Sequence, residues 1–435
     1  MNLSERIPFG QKAEDFHWIT SFEDAFVPQH RHINERPLDE YELTQHYLFW
    51  KEDIKKAKDL GVQMLRYGFP WYRVNTAPKK FDWQWVDEVV DHMINKCKIQ
   101  LMMDLNHYNC PLWIDNEFIN HSYPQRQAEY AYAFAERYSK LVHVYNPHNE
   151  PVVNAYFSGA QGEWPPYLHG QDGFVKVLFG LAKAVVLTIK AIREADPRSR
   201  FVHVEGAAIA TTKDKNLEEI ARMREEQSSL FYDLISGRLK EDHILYSFLV
   251  DNGATEKDFQ WFQDNHIELD ILGINYYPQA SHPVLGEGPI LEQERLLGGK
   301  EYLEKWFLKY HEKYGRPMIL TETCFFGTSE EKAQWLEDSC AVIKRVRSQG
   351  IPVIGYNWWF LIDSVGWDYK WGRGNPEEYI GFFPSSVKDT PRKGGGLYKL
   401  VPGFDGTLKR VKQTIVDIYK SYIQNAKTKV GDLNL

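Results

Sequence analysis

The chain has 435 residues, 43% of them apolar and 26% charged, and its 52 Lys and Arg against 60 Asp and Glu leave a formal charge of −8. These proportions are those of a globular protein and exclude a disordered, collagenous or coiled-coil chain. The acidic balance speaks against nucleic acid or an anionic membrane as the main partner and suits a small neutral ligand. No stretch approaches the roughly 20 apolar residues of a membrane span. Met1 to Gln11 has no apolar core ahead of a small-residue cleavage site, so no secretion signal is expected there. Cys97, Cys110, Cys324 and Cys340 have no CxxC spacing and are expected as reduced thiols in a cytoplasm.

In chain order, a first strand is expected near Phe16–Ser21. Leu43, Tyr47, Trp50, Ile54, Ala57 and Leu60 share a helix face that Gly61 closes, and Val62–Tyr67 follows as a strand. Asp82 is placed to cap a helix with the stripe Val86, Val89, Val90, Met93 and Ile94. The run Ile99–Leu105 then reads as a buried strand ending in the polar loop Asn106-His107-Tyr108. A helix around Gln127–Leu141 precedes the strand His143–Pro147, and a long apolar helix, Phe174–Ala195, precedes the strand Phe201–Glu205. The last strands are Leu269–Asn275, Pro317–Thr321 and Val353–Trp359, with Trp335, Leu336, Cys340 and Ile343 on a helix between the final two. A closing helix carries Val411, Ile415, Ile418, Tyr419 and Tyr422.

Eight strands alternating with helices fit an open doubly wound sheet or a closed barrel. Without a glycine-rich dinucleotide loop the barrel is favoured: an α/β protein, one (β/α)8 TIM-barrel domain over residues 1–435, with the barrel itself at roughly 13–425. Its active site is expected at the C-terminal ends of the strands. Two of those ends carry a carboxylate, Asn149-Glu150-Pro151 after the fourth strand and Thr321-Glu322-Thr323 after the seventh. Facing carboxylates are what glycosidic cleavage needs, one to protonate the departing oxygen and one to attack or stabilise the anomeric centre. Alone, Glu150 also fits a helix start with a first-turn proline, and Glu322 a loop acid. Of the 14 Trp, 25 Tyr and 24 Phe, a minority beside polar loops would suit the apolar faces of sugar rings.

Asn149-Glu150-Pro151 resembles the acid/base motif of the family 1 glycoside hydrolases, the β-glucosidase-like branch of a retaining clan built on (β/α)8 barrels. Leu65-Arg66-Tyr67 with Trp71, His107-Tyr108 through Trp113, Leu272-Gly273-Ile274-Asn275-Tyr276-Tyr277, Ile319-Leu320-Thr321-Glu322 and Trp359-Phe360-Leu361-Ile362-Asp363 resemble, in order, further family segments. The resemblance implies Glu150 as general acid and then base, and Glu322 as the nucleophile. Arg66 and Tyr277 would hydrogen-bond Glu322 and keep it ionised at neutral pH. Asn149 would reach the sugar 2-hydroxyl, His107 would bind a hydroxyl, Trp359 would stack beneath the ring, and Asn275 would support the acid/base side.

The chain departs from the family pattern where the glycone is gripped. The family's Asn-Phe-Glu-Trp is here Ser364-Val365-Gly366-Trp367, so a carboxylate that holds the 4- and 6-hydroxyls is replaced by Gly366; Trp367 remains an expected substrate contact. Asp368 is a possible substitute, and Glu23 stands near the family's hydroxyl-binding Gln. The family's phosphate-gripping Ser-Lys-Tyr pattern is absent, and Glu377 and Glu378 would repel phosphate. His30-Arg31-His32 with Glu35 reads as a solvent-facing loop, and the chemistry needs neither metal nor cofactor. His148 reads as a core histidine. The sequence therefore points to a cytoplasmic retaining β-glycosidase acting on a small-molecule glycoside or oligosaccharide. A carbohydrate-binding protein on the same scaffold and a transglycosylase are the alternatives.

Overall fold

The computed structural model describes residues 16–31, 34–286, 292–381 and 392–428; Met1–Gln11 and His32 lie outside them. Eight strands occur where the apolar runs place them: β1 (His17–Ser21), β2 (Met64–Gly68), β3 (Gln100–Asp104), β4 (Val144–Asn146), β5 (Arg200–Gly206), β6 (Ile271–Asn275), β7 (Met318–Thr323) and β8 (Val353–Trp358). Each pairs in parallel with the next, and β1 closes the ring on β8, with Thr20 opposite Trp358. The architecture is the expected (β/α)8 barrel.

The strands are apolar because both faces are covered. Inside, Ile19, Met64, Met102, Val144, Val202, Val204, Ile271, Ile319 and Ile354 fill the barrel from all eight strands, so the interior is a packed core rather than a channel. Outside lie α1 (His46–Leu60), α2 (Gln84–Asp91), α3 (Tyr123–Tyr138), α4 (Gly170–Ala195), α5 (Glu218–Ile235), α6 (Lys300–Tyr314), α7 (Ser329–Ser348) and α8 (Thr414–Thr428). On α1 the buried face is Trp50, Ile54, Ala57 and Leu60, and Gly61 ends the helix at φ 90. Asp82 accepts from the Gln84 N–H at the start of α2.

Val411 is a correction. It lies in Leu408–Lys412, which pairs antiparallel with Tyr398–Pro402, and α8 starts only at Thr414. The turn through Gly406, at φ 77, makes a hairpin where the apolar spacing points to a helix.

The strand pleat builds the site. Arg66 stands one inward row above Met64, and Asp104 one inward row above Met102, so the barrel changes from apolar to polar at its open end. A register shift between Ile274 and Asn275 sets Asn275 opposite Glu322.

Candidate active site

Glu322 is buried near the C-terminal end of β7, and both of its oxygens are held. Arg66 donates from Nη1 to Oε1 at 2.6 Å, and Tyr277, just past β6, donates its hydroxyl to Oε2 at 2.8 Å. The other edge of Arg66 belongs to β3, with Nε and Nη2 lying 2.9 and 2.5 Å from Asp104 Oδ2. Burial works against the Arg66 charge, but Asp104 and Glu322 outweigh it and hold the guanidinium protonated. Burial pushes the Glu322 carboxyl up to about 8, with Arg66 opposing the shift and Glu150 adding to it. Burial thus opposes the ionised form that the resemblance implies. Both contacts are present, but one cation serves two carboxylates in a desolvated site.

Glu150 follows β4 in the left-handed region, φ 40, directly before the short helix Pro151–Ala155. Glu205, on β5, accepts the N–H groups of Val152 and Gly206 at 3.0 and 2.9 Å and ties that helix start to the barrel. Asn275 donates from Nδ2 to Glu150 Oε1 at 2.8 Å, and Tyr108 donates its hydroxyl to Oε2 at 2.8 Å. The Asn275 amide is fixed because its Oδ1 accepts from Thr321 at 2.7 Å.

Asn149 joins the two halves. Its Oδ1 accepts from Arg66 Nη2 at 2.7 Å, which aims Nδ2 at His107 Nε2 and at the Tyr108 hydroxyl, each 2.9 Å away. His107 Nδ1 lies 2.7 Å from Asp24 Oδ1, and although burial works against its charge, Asp24 and Asp104 push the imidazole well above its ordinary range. Gly68 makes room for that Asp24 carboxylate, since a Cβ there would stand 2.4 Å from Oδ2. Trp359, following β8, lies nearly parallel to His107, with ring centroids 5.6 Å apart, and the Arg66 guanidinium sits 4.6 Å from its centroid. Its indole N–H donates to Glu23 Oε2 at 3.1 Å. Burial pushes the Glu23 carboxyl up to about 7, against the pull of His107.

Glu150, Glu322, His107, Asn149, Tyr277, Trp359, Glu23, Arg66 and Asn275 thus converge in one network. Asp368 and Trp367 stand outside it. Asp368 is ion-paired with Arg392, and the pair fills the space of the missing side chain: a Cβ on Gly366 would lie 2.6 Å from each. Trp367 packs against Trp164 and Tyr108, at centroid distances of 5.2 and 5.6 Å. His148 is a core histidine with Nε2 2.9 Å from Asn154 Oδ1.

Sequence reasoning missed Asp24, Asp104, Glu40 and the role of Tyr108. Glu40 is fully buried behind Glu23, accepts the Val365 N–H at 3.1 Å, and is pushed well up by burial and by Glu23. Asp104 had a signal: two buried neighbouring strands each carry one charge, of opposite sign. Asp24, Asp104 and His107 bring three donor atoms together, but Arg66 already supplies the cation that Asp104 needs.

The model of glycosyl hydrolase family 1 matches residues 18–283. The chain is similar to a 6-phospho-β-glucosidase of Clostridium longisporum, 21% identical over 431 residues that cover 87% of this chain and 85% of that one. It is also similar to β-glucosidase A of Thermotoga maritima, 23% identical over 357 residues that cover 74% and 78% of the two chains. A solved family 1 β-glucosidase from Thermotoga maritima matches with a TM-score of 0.78 over 95% of this chain and 98% of that one, at 18% identity. At that identity the structural likeness speaks for the fold.

Proposed function

Because the chain belongs to glycosyl hydrolase family 1 and is a retaining β-glycosidase, we propose that Glu150 and Glu322 divide the two half-reactions between them. Glu322 attacks the anomeric carbon while Glu150 gives its proton to the departing oxygen. Glu150, now a carboxylate, takes a proton from the water that attacks the glycosyl-enzyme, and the ester electrons return to Glu322. One observation carries this assignment: carboxyls from β4 and β7 joined through Asn275, Asn149 and Arg66 by hydrogen bonds.

Around them, Asn149 reaches the 2-hydroxyl, His107 and Glu23 take further hydroxyls, and Trp359 lies under the ring. Tyr277 and Arg66 hold the nucleophile, and Asn275 holds the acid/base group. Trp367, half-buried against Tyr108 beside the acid/base group, is a further contact, while Asp368 is paired with Arg392.

The glycone we propose is neutral. Glu23 holds the Trp359 indole, Glu40 behind it accepts the Val365 N–H beside Gly366, and Arg392 is already paired. A 6-phosphate there would meet two carboxyl groups. One catalytic domain spans the chain, and no cofactor enters the chemistry. Four free cysteines support a reducing, cytoplasmic setting. Among the described residues no helix is long and apolar enough to cross a membrane.

The test is proton NMR of the first sugar released from a panel of aryl β-glycosides, neutral and 6-phosphorylated. A neutral β-anomer appearing first is expected. An α-anomer first would contradict retention, and turnover of the phosphorylated members alone would contradict the neutral glycone.

A further inference from the structure

Tyr108 touches the acid/base carboxyl, and among the described residues its hydroxyl has one acceptor, Glu150. Asn149 Nδ2 donates to the Tyr108 oxygen at 2.9 Å, and that amide is fixed by Arg66 on its Oδ1. The Tyr108 proton therefore goes to Glu150 Oε2, 2.8 Å away. Burial and the neighbouring Glu150 push the phenol well above its ordinary range, so it stays a donor.

The ring is held as firmly as the hydroxyl. Tyr108 has φ 72, is buried, and sits against Trp164 at 4.8 Å and Trp367 at 5.6 Å between centroids; Phe157 stacks on Trp164 from behind. A non-glycine residue in the left-handed region is costly unless its surroundings enforce it. Here Trp164 and Trp367 press on the ring directly.

We propose that Tyr108 is a positioning residue that aims Glu150 Oε2 and steadies the negative charge that forms there, and so favours the water-activating half of the reaction over the leaving-group half. The proposal rests on the assignment of Glu150 above. Both Glu150 oxygens receive donors, Asn275 on Oε1 and Tyr108 on Oε2, and neither donor can turn round to accept. Such an environment suits a base. In that half, the water oxygen bonds to the anomeric carbon, its proton passes to Glu150, and the electrons of the glycosyl ester return to Glu322. In the other half Glu150 must arrive protonated, against the same two donors. The other titratable groups facing Glu150 are Glu322 from β7, Glu205 from β5, Tyr277 after β6 and Tyr232 from α5, with the Arg66 charge reaching it through Asn149. Of these, none donates a hydrogen bond to its carboxylate within the described residues.

Tyr108→Phe keeps the ring in its cage and removes the donor. Wild type and variant are compared on a 2,4-dinitrophenyl and a methyl β-glycoside of the glycone that the panel identifies, with pH profiles of kcat/KM. The dinitrophenyl substrate needs little acid help, so its kcat reports the water step. In the variant that kcat falls about tenfold. The methyl-to-dinitrophenyl ratio of kcat/KM rises, and the alkaline limb moves up. An equal loss on both substrates with an unmoved limb would show a structural role and overturn the proposal. Incorporation of 3-fluorotyrosine at position 108 gives a second reading that does not depend on the folding of the Phe variant. Its stronger donor moves the alkaline limb down, and an unmoved limb overturns the proposal. Glu150→Ala with azide separates the two assignments: if azide restores turnover of the dinitrophenyl substrate while the Tyr108 variants show no shift, only the Tyr108 role fails. If azide restores nothing, the Glu150 assignment and the proposal on it fail together.

Discussion

Arg66 gives two of its nitrogens to a single oxygen of Asp104, at 2.5 and 2.9 Å from Oδ2, and leaves only Nη1 for the nucleophile Glu322. The cation that should hold Glu322 ionised is thus divided, and burial carries that carboxyl up to about 8. Glu322 attacks only when ionised, so protonating it lowers kcat/KM on the acid limb of the pH profile. Asp104→Asn keeps the shape and removes the competing charge. Its acid limb is expected to lie about one pH unit lower. A limb that stays in place in a folded variant would show that Asp104 does not compete for Arg66.

Glu150→Gln removes the proton donor and keeps the contact with Asn275. On an alkyl β-glycoside, kcat/KM is expected to fall about 10²- to 10⁴-fold. On the dinitrophenyl glycoside, whose leaving group departs unaided, kcat/KM falls far less. Steady-state kinetics on the pair decides the matter, since an equal fall on both would remove general acid catalysis from Glu150.

Glu23 presents a carboxyl, pushed up to about 7, where Trp359 and a sugar hydroxyl both seek an acceptor. Below that pH it is mostly neutral and above it mostly anionic, so KM is expected to change across pH 7. Glu23→Gln should flatten that dependence and change the preference between glycones about 10-fold or more, the size of one buried hydroxyl left with the wrong partner. KM measured from pH 5.5 to 8.5 on two epimeric glycosides is the check, and a profile unchanged by the substitution would take Glu23 out of the glycone site.

His203 and His148 are buried and kept neutral, burial lowering them to about 3 and about 4. In the unfolded chain a histidine titrates near 6.5. The unfolded state therefore binds protons first as the pH falls. Stability is complete above about 6.5 and is lost toward 4 at about 1.4 kcal/mol per pH unit for each histidine. Thermal melts from pH 7.5 to 4.5 should fall steadily. His203→Phe, at a site where both ring nitrogens are unpartnered, should fall less steeply, and equal slopes would refute the linkage.

The barrel was legible because strands covered on both faces must be apolar, and eight such runs stand out between amphipathic helices. The two carboxylates were legible because each sits where an apolar strand ends. Asp104 was hidden by its place inside the run Leu101-Met102-Met103-Asp104-Leu105; its partner is one strand away and 38 residues back in sequence. Asp368 and Trp367 show a different limit. Both stand beside Gly366, but which groups enter the space left by a missing side chain depends on Arg392, 24 residues further on. Tyr108 was visible only as a member of a recognisable segment. Its function depends on the orientation of the Asn149 amide, which only three-dimensional contacts fix.

The central claim is that Glu322 forms a covalent bond to the sugar. The most direct measurement is intact-protein mass, followed by peptide mapping, after incubation with a panel of 2-deoxy-2-fluoro β-glycosyl fluorides, with Glu322→Gln as control. The account predicts a gain of one fluorosugar on the peptide containing Glu322, absent from the variant. Label on another carboxylate, or hydrolysis of aryl glycosides at an undiminished rate by Glu322→Gln, would contradict it.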